Sequence, residues 1–268
     1  MINQNTIFIT GAASGIGRAT ALHFAGQGWF VGICDLNEKG LHSLQAEIGT
    51  CNCSVSVMDV SDSENVRQAV ESFVKATGGR IDVLFNNAGI LRMGLNETIA
   101  IHDQRQMVEV NFIGILNCIH HALPYLKKTS KSKIINMASA SALYGTPELA
   151  VYSATKHAVR ALTEALNIEM EAQGITVCDI IAPYVRTPLL DAPVQAYSID
   201  KLGIHLEPSD VAAIVWRAAH KNKVHWIMTA LFKFLAFSIG IGMGIAPFAN
   251  RSITKMLCMS PKRVPSRR

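Results

Sequence analysis

Short apolar segments typical of strands alternate with longer segments typical of helices along this chain. Runs rich in β-branched residues predict the strands, and amphipathic stretches predict the helices. The predicted strands are Thr6–Thr10, Phe30–Asp35, Cys53–Asp59, Val83–Asn86, Lys133–Met137 and Thr176–Ile181. The main predicted helices are Ile16–Gln27, Ser63–Thr77, Arg105–Leu126, Ala150–Gln173 and Ser209–His220. This order predicts an α/β fold, a doubly wound parallel sheet whose ligands bind where the strands end.

Charge divides the 268 residues into two parts. Residues 1–210 hold fifteen Lys and Arg and all twenty Asp and Glu, a net charge of −5, whereas residues 211–268 hold ten basic residues and no acidic one. We therefore expect a catalytic domain over 1–210 and a C-terminal extension over 211–268 that begins with the last helix. Because the basic charge is confined to the extension, the composition argues against a chain-wide surface for nucleic acid.

The six cysteines form no CxxC pair and have no histidines at metal-ligand spacing. We therefore expect neither a metal site nor a disulfide framework, only reduced thiols. The polar start Met1–Asn5 runs directly into the first predicted strand, so we expect no signal peptide and a cytoplasmic protein.

A glycine-rich loop joins the first strand to the first helix. It has the pattern G-x-x-x-G-x-G, with glycines at 11, 15 and 17 and with Ser14 and Ile16 between them. Glycine permits the tight turn and lets backbone N–H groups at a helix N-terminus approach a pyrophosphate. Its position between a strand and a helix predicts a dinucleotide site lined by Gly11, Ser14, Gly15, Ile16 and Gly17.

Asp35 ends the second strand, eighteen residues after Gly17. A carboxylate here accepts hydrogen bonds from the adenosine ribose and repels a 2′-phosphate, which favours NAD over NADP. The alternative is a strand-end turn aspartate beside Asn37.

Tyr152 and Lys156 are four residues apart, and hence on one face of a predicted helix. A nearby ammonium favours the phenolate, so we expect the lysine to lower the pKa of the tyrosine from its ordinary value of ~10. The pair is then competent to move a proton to or from an alcohol oxygen.

These motifs occur in the order typical of the short-chain dehydrogenase/reductase family, which the chain resembles over roughly residues 5–190. The resemblance implies a Rossmann-type fold, an NAD cofactor and a homodimer or homotetramer formed through the helices that carry Asn111 and Tyr152. The matching pieces are Thr10–Gly17, Asp35, Asp59-Val60, Asn86-Asn87-Ala88-Gly89, Asn111, Ser139, Tyr152 with Lys156, and Pro183 through Thr187.

The resemblance also implies roles. Tyr152 is the acid/base, Ser139 hydrogen-bonds the same substrate oxygen, Lys156 binds the nicotinamide ribose, and Asn111 holds a water for proton relay. Asn86, with Ala88 and Gly89, would line the cofactor cleft. The remaining residues expected to contact the cofactor are Asp59, Val60, Asn87, Tyr152, Pro183, Val185 and Thr187.

The chain departs from the family where Pro-Gly is common, because Pro183 is followed by Tyr184. We expect Ser139, Tyr144, Tyr152 and Tyr184 to contact substrate, and the apolar loops around them favour a lipophilic alcohol or ketone of retinoid, steroid or fatty type. The alternatives are a 3-oxoacyl-thioester reductase, which Asp35 disfavours on cofactor grounds, and a catalytically silent NAD-sensing or membrane-scaffolding protein.

Residues 227–248 are apolar apart from Lys233, and basic residues flank them. The uncharged stretch from Phe234 to Phe248 is fifteen residues long, short of the ~20 that a spanning helix needs. Three hypotheses remain for the extension: contact with an anionic membrane interface through 227–268, packing as a lid or subunit interface, and, least favoured, a true span.

Overall fold

The computed structural model describes residues 4–191, 194–230 and Phe232. Within them, seven strands form one parallel sheet in the order β3-β2-β1-β4-β5-β6-β7. The strands are β1 Thr6–Thr10, β2 Phe30–Asp35, β3 Cys53–Val57, β4 Val83–Asn86, β5 Lys133–Met137, β6 Thr176–Ile181 and β7 His225–Ile227. The α-helices are α1 Gly15–Gly26, α2 Glu38–Ile48, α3 Ser63–Thr77, α4 Ile101–Val108, α5 Gly114–Leu126, α6 Ala150–Glu169, α7 Tyr197–Leu202 and α8 Pro208–His220.

Helices cover both faces of the sheet. Ile7 and Ile9 of β1 belong to a buried cluster with α1, α2 and α8, whereas Phe8 between them packs with α3, α5 and α6. Burial on both faces explains why the strands are continuous apolar runs rather than alternating ones. The predicted doubly wound α/β fold is therefore confirmed.

The strand order reverses between β1 and β4. The connections leaving these two neighbouring strands run in opposite directions, which opens a crevice at their carboxyl ends. The glycine loop follows β1 and the segment Asn87–Gly89 follows β4, so the topology brings two predicted cofactor motifs to one crevice.

Three sequence-based boundaries were wrong. Strand β3 ends at Val57, so Asp59 lies in the following loop. The helix expected over Arg105–Leu126 begins earlier and is broken, because five residues, Glu109–Ile113, form a π-helical segment between α4 and α5. The helix expected over Ser209–His220 begins one residue earlier, at Pro208, and its first turn is closed by reciprocal contacts between Glu207 and Asp210.

Helices α2 and α7 and strand β7 were not predicted at all, and α2 and β7 show why. Helix α2 buries only a narrow stripe, Leu41, Leu44 and Ile48, within a polar stretch. Strand β7 is three residues long, and its pairing with β6 decides its conformation. Both elements gain their structure from tertiary contacts more than from a local pattern.

The beginning of the predicted extension belongs to the sheet layer, since α8 packs on α1 and β7 extends the sheet. Phe232 is buried against the cluster that contains α3, α5 and α6. No helix in the described ranges is long and apolar enough to cross a membrane. The apolar and basic stretch from residue 233 onward lies outside the described residues.

Candidate active site

A cleft of about 370 Å³ lies at the carboxyl edge of the sheet. The predicted catalytic residues Ser139, Tyr152 and Lys156 line it, whereas Gly17, Asn111 and Tyr144 do not. The predicted cofactor residues on its wall are Gly11, Ser14, Gly15, Ile16, Asp35, Asp59, Val60, Asn87, Ala88, Gly89, Pro183, Val185 and Thr187. The structure thus gathers residues from the carboxyl ends of six strands and from α6 at one place.

The glycine loop leaves no room for side chains at two positions. A Cβ on Gly11, whose φ is +66°, would lie 2.8 Å from the Ala88 Cα atom. A Cβ on Gly17 would lie 2.1 Å from the carbonyl oxygen of Gly11. Gly17 does not line the cleft; its lack of a side chain lets the first turn of α1 pack directly against the loop.

The loop after β4 is fastened to the loop after β1. The Thr10 hydroxyl accepts hydrogen bonds from the N–H groups of Asn87 and Ala88, both at 3.0 Å. The Asn87 side-chain amide donates to the carbonyl oxygens of Thr10 and Gly11, again at 3.0 Å. Asn87 thus shapes the cleft as well as lining it.

Asn86 does not line the cleft, contrary to the expectation from the resemblance. Its side chain is buried in β4, and its amide donates to the Asn136 side-chain oxygen at 2.8 Å. This bond links β4 to β5 beneath the cleft floor.

Asp35 is held in the cleft wall by two backbone donors. Its carboxylate accepts the Ala13 N–H and the Asn37 N–H, each at 2.9 Å. The contact to Asn37 is the turn expected from the alternative interpretation, yet the residue also lines the cleft. Both features hold, and the turn fixes the carboxylate where a ribose would be bound. Asp59, in the next loop, is oriented similarly, since it accepts the Ser61 N–H at 2.9 Å.

Tyr152 and Lys156 lie on one face of α6, with the Lys156 Nζ 5.5 Å from the tyrosine ring centroid. The ammonium donates to the Met137 carbonyl oxygen at 2.7 Å. Burial lowers the pKa of Lys156 to about 8. Burial also raises the pKa of Tyr152 to about 12, against the smaller lowering effect of a hydrogen bond with Ser139. The expected lowering of the tyrosine pKa by the lysine was therefore wrong, because desolvation of the phenolate dominates.

Ser139 follows β5 and stands beside the phenol. Its hydroxyl accepts the Ser141 N–H at 3.2 Å, and Ala140 is tied to the end of β6 by an N–H bond to the Ala182 carbonyl at 2.8 Å. These bonds hold the serine on a short 3-10 turn that directs it to the Tyr152 side chain.

Asn111 lies in the π-helical segment and is fully buried. Its side-chain oxygen accepts the Ile90 N–H at 2.8 Å, and its amide donates to the Ile90 carbonyl at 2.9 Å. The side chain therefore clamps the segment after Gly89. A role in holding a water for proton relay remains a prediction.

The end of the cleft beyond Tyr152 is apolar. A buried cluster of Leu91, Met93, Leu149, Leu190, Ala196 and Ile199 packs there with Tyr152 and Tyr184. Tyr144 is not part of it: the turn after Ser139 directs its side chain into the core with α3, α5 and α6. The expected substrate contact of Tyr144 was therefore wrong, since proximity in sequence to Ser139 did not place it on the cleft wall.

Several cleft residues escaped the sequence analysis. Met58, Gln106 and Val110 also line the cleft. Met58 directly follows β3, where cleft residues are expected, but the predicted strand extended to Asp59 and so placed Met58 inside the strand. Gln106 and Val110 come from the broken helix, and no motif marked them.

A glycine cradle, a strand-end carboxylate and a Ser-Tyr-Lys set on one cleft define an oxidoreductase site for a nicotinamide dinucleotide. The sequence model of the short chain dehydrogenase family matches residues 5–197, and the chain belongs to this family. It is an enzyme that acts on CH–OH groups.

Among similar proteins is the cyclohexanol dehydrogenase of Acinetobacter sp. (strain SE19), 32% identical over 221 residues, with 80% of this chain and 86% of that protein covered. The 3-oxoacyl-[acyl-carrier-protein] reductase of Thermotoga maritima is 34% identical over 214 residues, covering 77% and 87%. A solved structure, the 3-ketoacyl-(acyl-carrier-protein) reductase from Brucella melitensis complexed with NADH, has a TM-score of 0.75 at 30% identity, covering 83% and 96%.

Proposed function

We propose that this protein is an NAD-dependent dehydrogenase that interconverts a lipophilic secondary alcohol and its ketone. The observation that carries this proposal is the convergence of Tyr152, Ser139 and Lys156 at the apolar end of a cleft whose other end holds Asp35. Among the described residues that line the cleft, only Asp35, Asp59 and Lys156 are charged. Apart from Lys156 of the catalytic set, the substrate end is thus uncharged.

The residues present fit NAD. The backbone of Gly11 and Gly15 forms a cradle that a Cβ would obstruct, as a pyrophosphate requires. Asp35 would accept the adenosine ribose hydroxyls, and Asp59 with Val60 would border the adenine. Lys156 would hold the nicotinamide ribose, and Thr187 would hydrogen-bond the carboxamide. When bound, NAD supplies the ring that accepts or returns a hydride.

Tyr152 moves the proton in this scheme. At neutral pH its raised pKa keeps the phenol protonated, so in ketone reduction the phenolic O–H donates to the carbonyl oxygen. In alcohol oxidation the phenolate accepts the hydroxyl proton, and oxidation is therefore favoured as the pH rises. Ser139 hydrogen-bonds the same oxygen and stabilises the charge that develops on it.

Two alternatives remain. A 3-oxoacyl-thioester reductase fits the same Ser-Tyr-Lys chemistry. The similarity to the Thermotoga and Brucella reductases supports this alternative. The Brucella protein is described in complex with NADH, so Asp35 alone does not separate the two activities. The uncharged substrate end favours the lipophilic alcohol. A silent NAD-sensing or scaffolding protein is disfavoured because Ser139, Tyr152 and Lys156 are all in place.

The substrate class is tested by following NADH production with secondary alcohols of graded chain length and ring content. Burial of each CH₂ contributes ~0.8 kcal/mol, so we expect kcat/KM to rise about fourfold per methylene until the chamber is filled. The Tyr152→Phe variant serves as the negative control for NADH production. A flat or falling series, or faster NADH oxidation with a 3-oxoacyl thioester than with any ketone, would contradict the proposal.

Self-association is part of the same proposal. Helices α4, α5 and α6 carry exposed apolar side chains, of which Ile168 is 75% exposed and Ile101 is 64% exposed. Exposed side chains of this kind suit a subunit interface. We therefore retain a homodimer or homotetramer, formed through the helices that flank the active site.

Contact of the C-terminal segment with a membrane surface also remains a proposal. It rests on the ten basic residues and the apolar stretch after residue 210. Each Lys or Arg near an anionic surface contributes ~1 kcal/mol. Deletion of residues 233–268, which keeps β7 and Phe232, should lower partitioning onto phosphatidylserine vesicles more than tenfold. The full chain should not bind neutral phosphatidylcholine vesicles. Equal partitioning of the full chain and the deletion variant onto phosphatidylserine vesicles would instead favour a lid or a subunit interface.

A further inference from the structure

Helix α7 forms part of the wall behind the substrate end of the cleft. Ile199 on this helix and Ala196 just before it belong to the same buried cluster as Leu149 and Leu190, and Tyr152 packs against that cluster. The position of α7 therefore sets how much space lies beside the reacting oxygen.

Glu148 holds one end of this helix. Its carboxylate accepts the Tyr197 N–H, at the first residue of α7, at 2.6 Å. The contact joins positions 49 apart in the chain, and Glu148 is 9% exposed. The backbone of Glu148 also accepts the Gly94 N–H at 2.9 Å, so one residue links α7, the loop after β4 and the start of α6.

The backbone of Glu148 supports a specific role. Its φ is +65°, a left-handed conformation that is disfavoured for a residue with a Cβ. Glycine would relieve this strain but would lose the carboxylate. Tyr152 lies four residues further along, so the contact of Glu148 with α7 forms just before the helix that carries the phenol.

Tyr184 provides a second attachment. Its hydroxyl hydrogen-bonds the Ser198 hydroxyl at 2.5 Å, and Ser198 is fully buried on α7. The ring of Tyr184 lines the cleft, so its phenol group spans from the substrate chamber to the helix behind it. The side chain at this departure from the Pro-Gly pattern is therefore used to hold α7.

We propose that Glu148 and Tyr184 are positioning residues that fix α7 against the apolar chamber and thereby limit the size of the alcohol or ketone it accepts. The limit on substrate size rests on the proposed function, whereas the attachment of α7 does not. With both contacts made, the chamber suits a compact apolar substrate. If α7 were less firmly attached, the chamber would admit bulkier substrates and bind small substrates more weakly.

Hydrogen exchange of peptides covering residues 194–204 tests the attachment without any turnover. We expect Glu148→Gly and Tyr184→Phe each to speed exchange there about tenfold, because a buried hydrogen bond is lost. Glycine adopts the left-handed φ of +65° readily, so the first variant removes the carboxylate without displacing the backbone at this position. Glu169→Gln, an exposed acid at the far end of α6, is the matched control. Unchanged exchange in both variants would overturn the proposal whatever the enzyme turns over.

Kinetics with a small and a bulky secondary alcohol test the size limit. Each variant should raise KM for cyclohexanol about five- to tenfold with kcat within about twofold, and should lower the preference for cyclohexanol over a bulky alicyclic alcohol. Tyr184→Phe and Ser198→Ala each remove the same hydrogen bond. The double variant should therefore raise KM for cyclohexanol no more than either single variant does. Additive losses, or parallel changes for both alcohols, would overturn the size limit. If the wild-type enzyme oxidises no alcohol, the proposed function fails, while the exchange experiment still decides the attachment.

Discussion

Tyr152→Phe should lower kcat for alcohol oxidation by about 10²- to 10⁴-fold, the usual contribution of a positioned acid/base. The phenol is half-buried, lies beside Lys156 and is hydrogen-bonded to Ser139, and phenylalanine keeps the ring while removing the oxygen that carries the proton. NADH affinity should change less than about threefold, since the substitution leaves the glycine loop and Asp35 intact. The measurement pairs steady-state kinetics with NADH fluorescence titration.

A suitable control is Tyr125→Phe, which removes a hydroxyl from α5, outside the cleft lining. It should keep kcat near the wild-type value. If Tyr152→Phe retained wild-type turnover, another group would have to be the acid/base, and Ser139 alone would then carry the contact to the substrate oxygen.

The sequence was sufficient to predict features that depend on short-range patterns. The loop from Gly11 to Gly17 and the pair Tyr152 and Lys156 are read from spacing, because a tight turn needs glycine and a helix aligns residues four apart. The carboxyl ends of parallel strands share one edge, so the alternating pattern was enough to bring these motifs together.

Features that depend on burial and long-range contact were not predictable in the same way. The pKa of Tyr152 was expected to fall because the sequence shows the neighbouring charge, whereas the desolvation that raises it comes from the packed cleft. Tyr144 was expected on the cleft wall because it is near Ser139 in sequence, but a turn over Ala140–Ala142 changes its direction. Glu148 escaped notice because its partner on α7 is 49 positions away.

The cofactor preference gives the second large effect. The wild-type enzyme should bind NADH at least ten- to a hundredfold more tightly than NADPH. A ribose hydroxyl bonded to a carboxylate contributes ~1.5–3 kcal/mol, and a 2′-phosphate beside Asp35 would add repulsion. The ratio should shrink at high ionic strength, because salt screens charges near the surface. Asp35→Ser with Leu36→Arg should reverse the preference, since Leu36 is 65% exposed and lines the cleft beside Asp35.

The readout must be the ratio of the two affinities. Asp35 also accepts the N–H groups of Ala13 and Asn37, so its substitution would loosen the loop and weaken both cofactors together. Glu38→Gln, an exposed acid three residues away that does not line the cleft, should leave the ratio unchanged. Equal wild-type affinities for NADH and NADPH would show that Asp35 serves only the turn with Asn37, and the NAD preference would have to be abandoned even if Tyr152 proved essential.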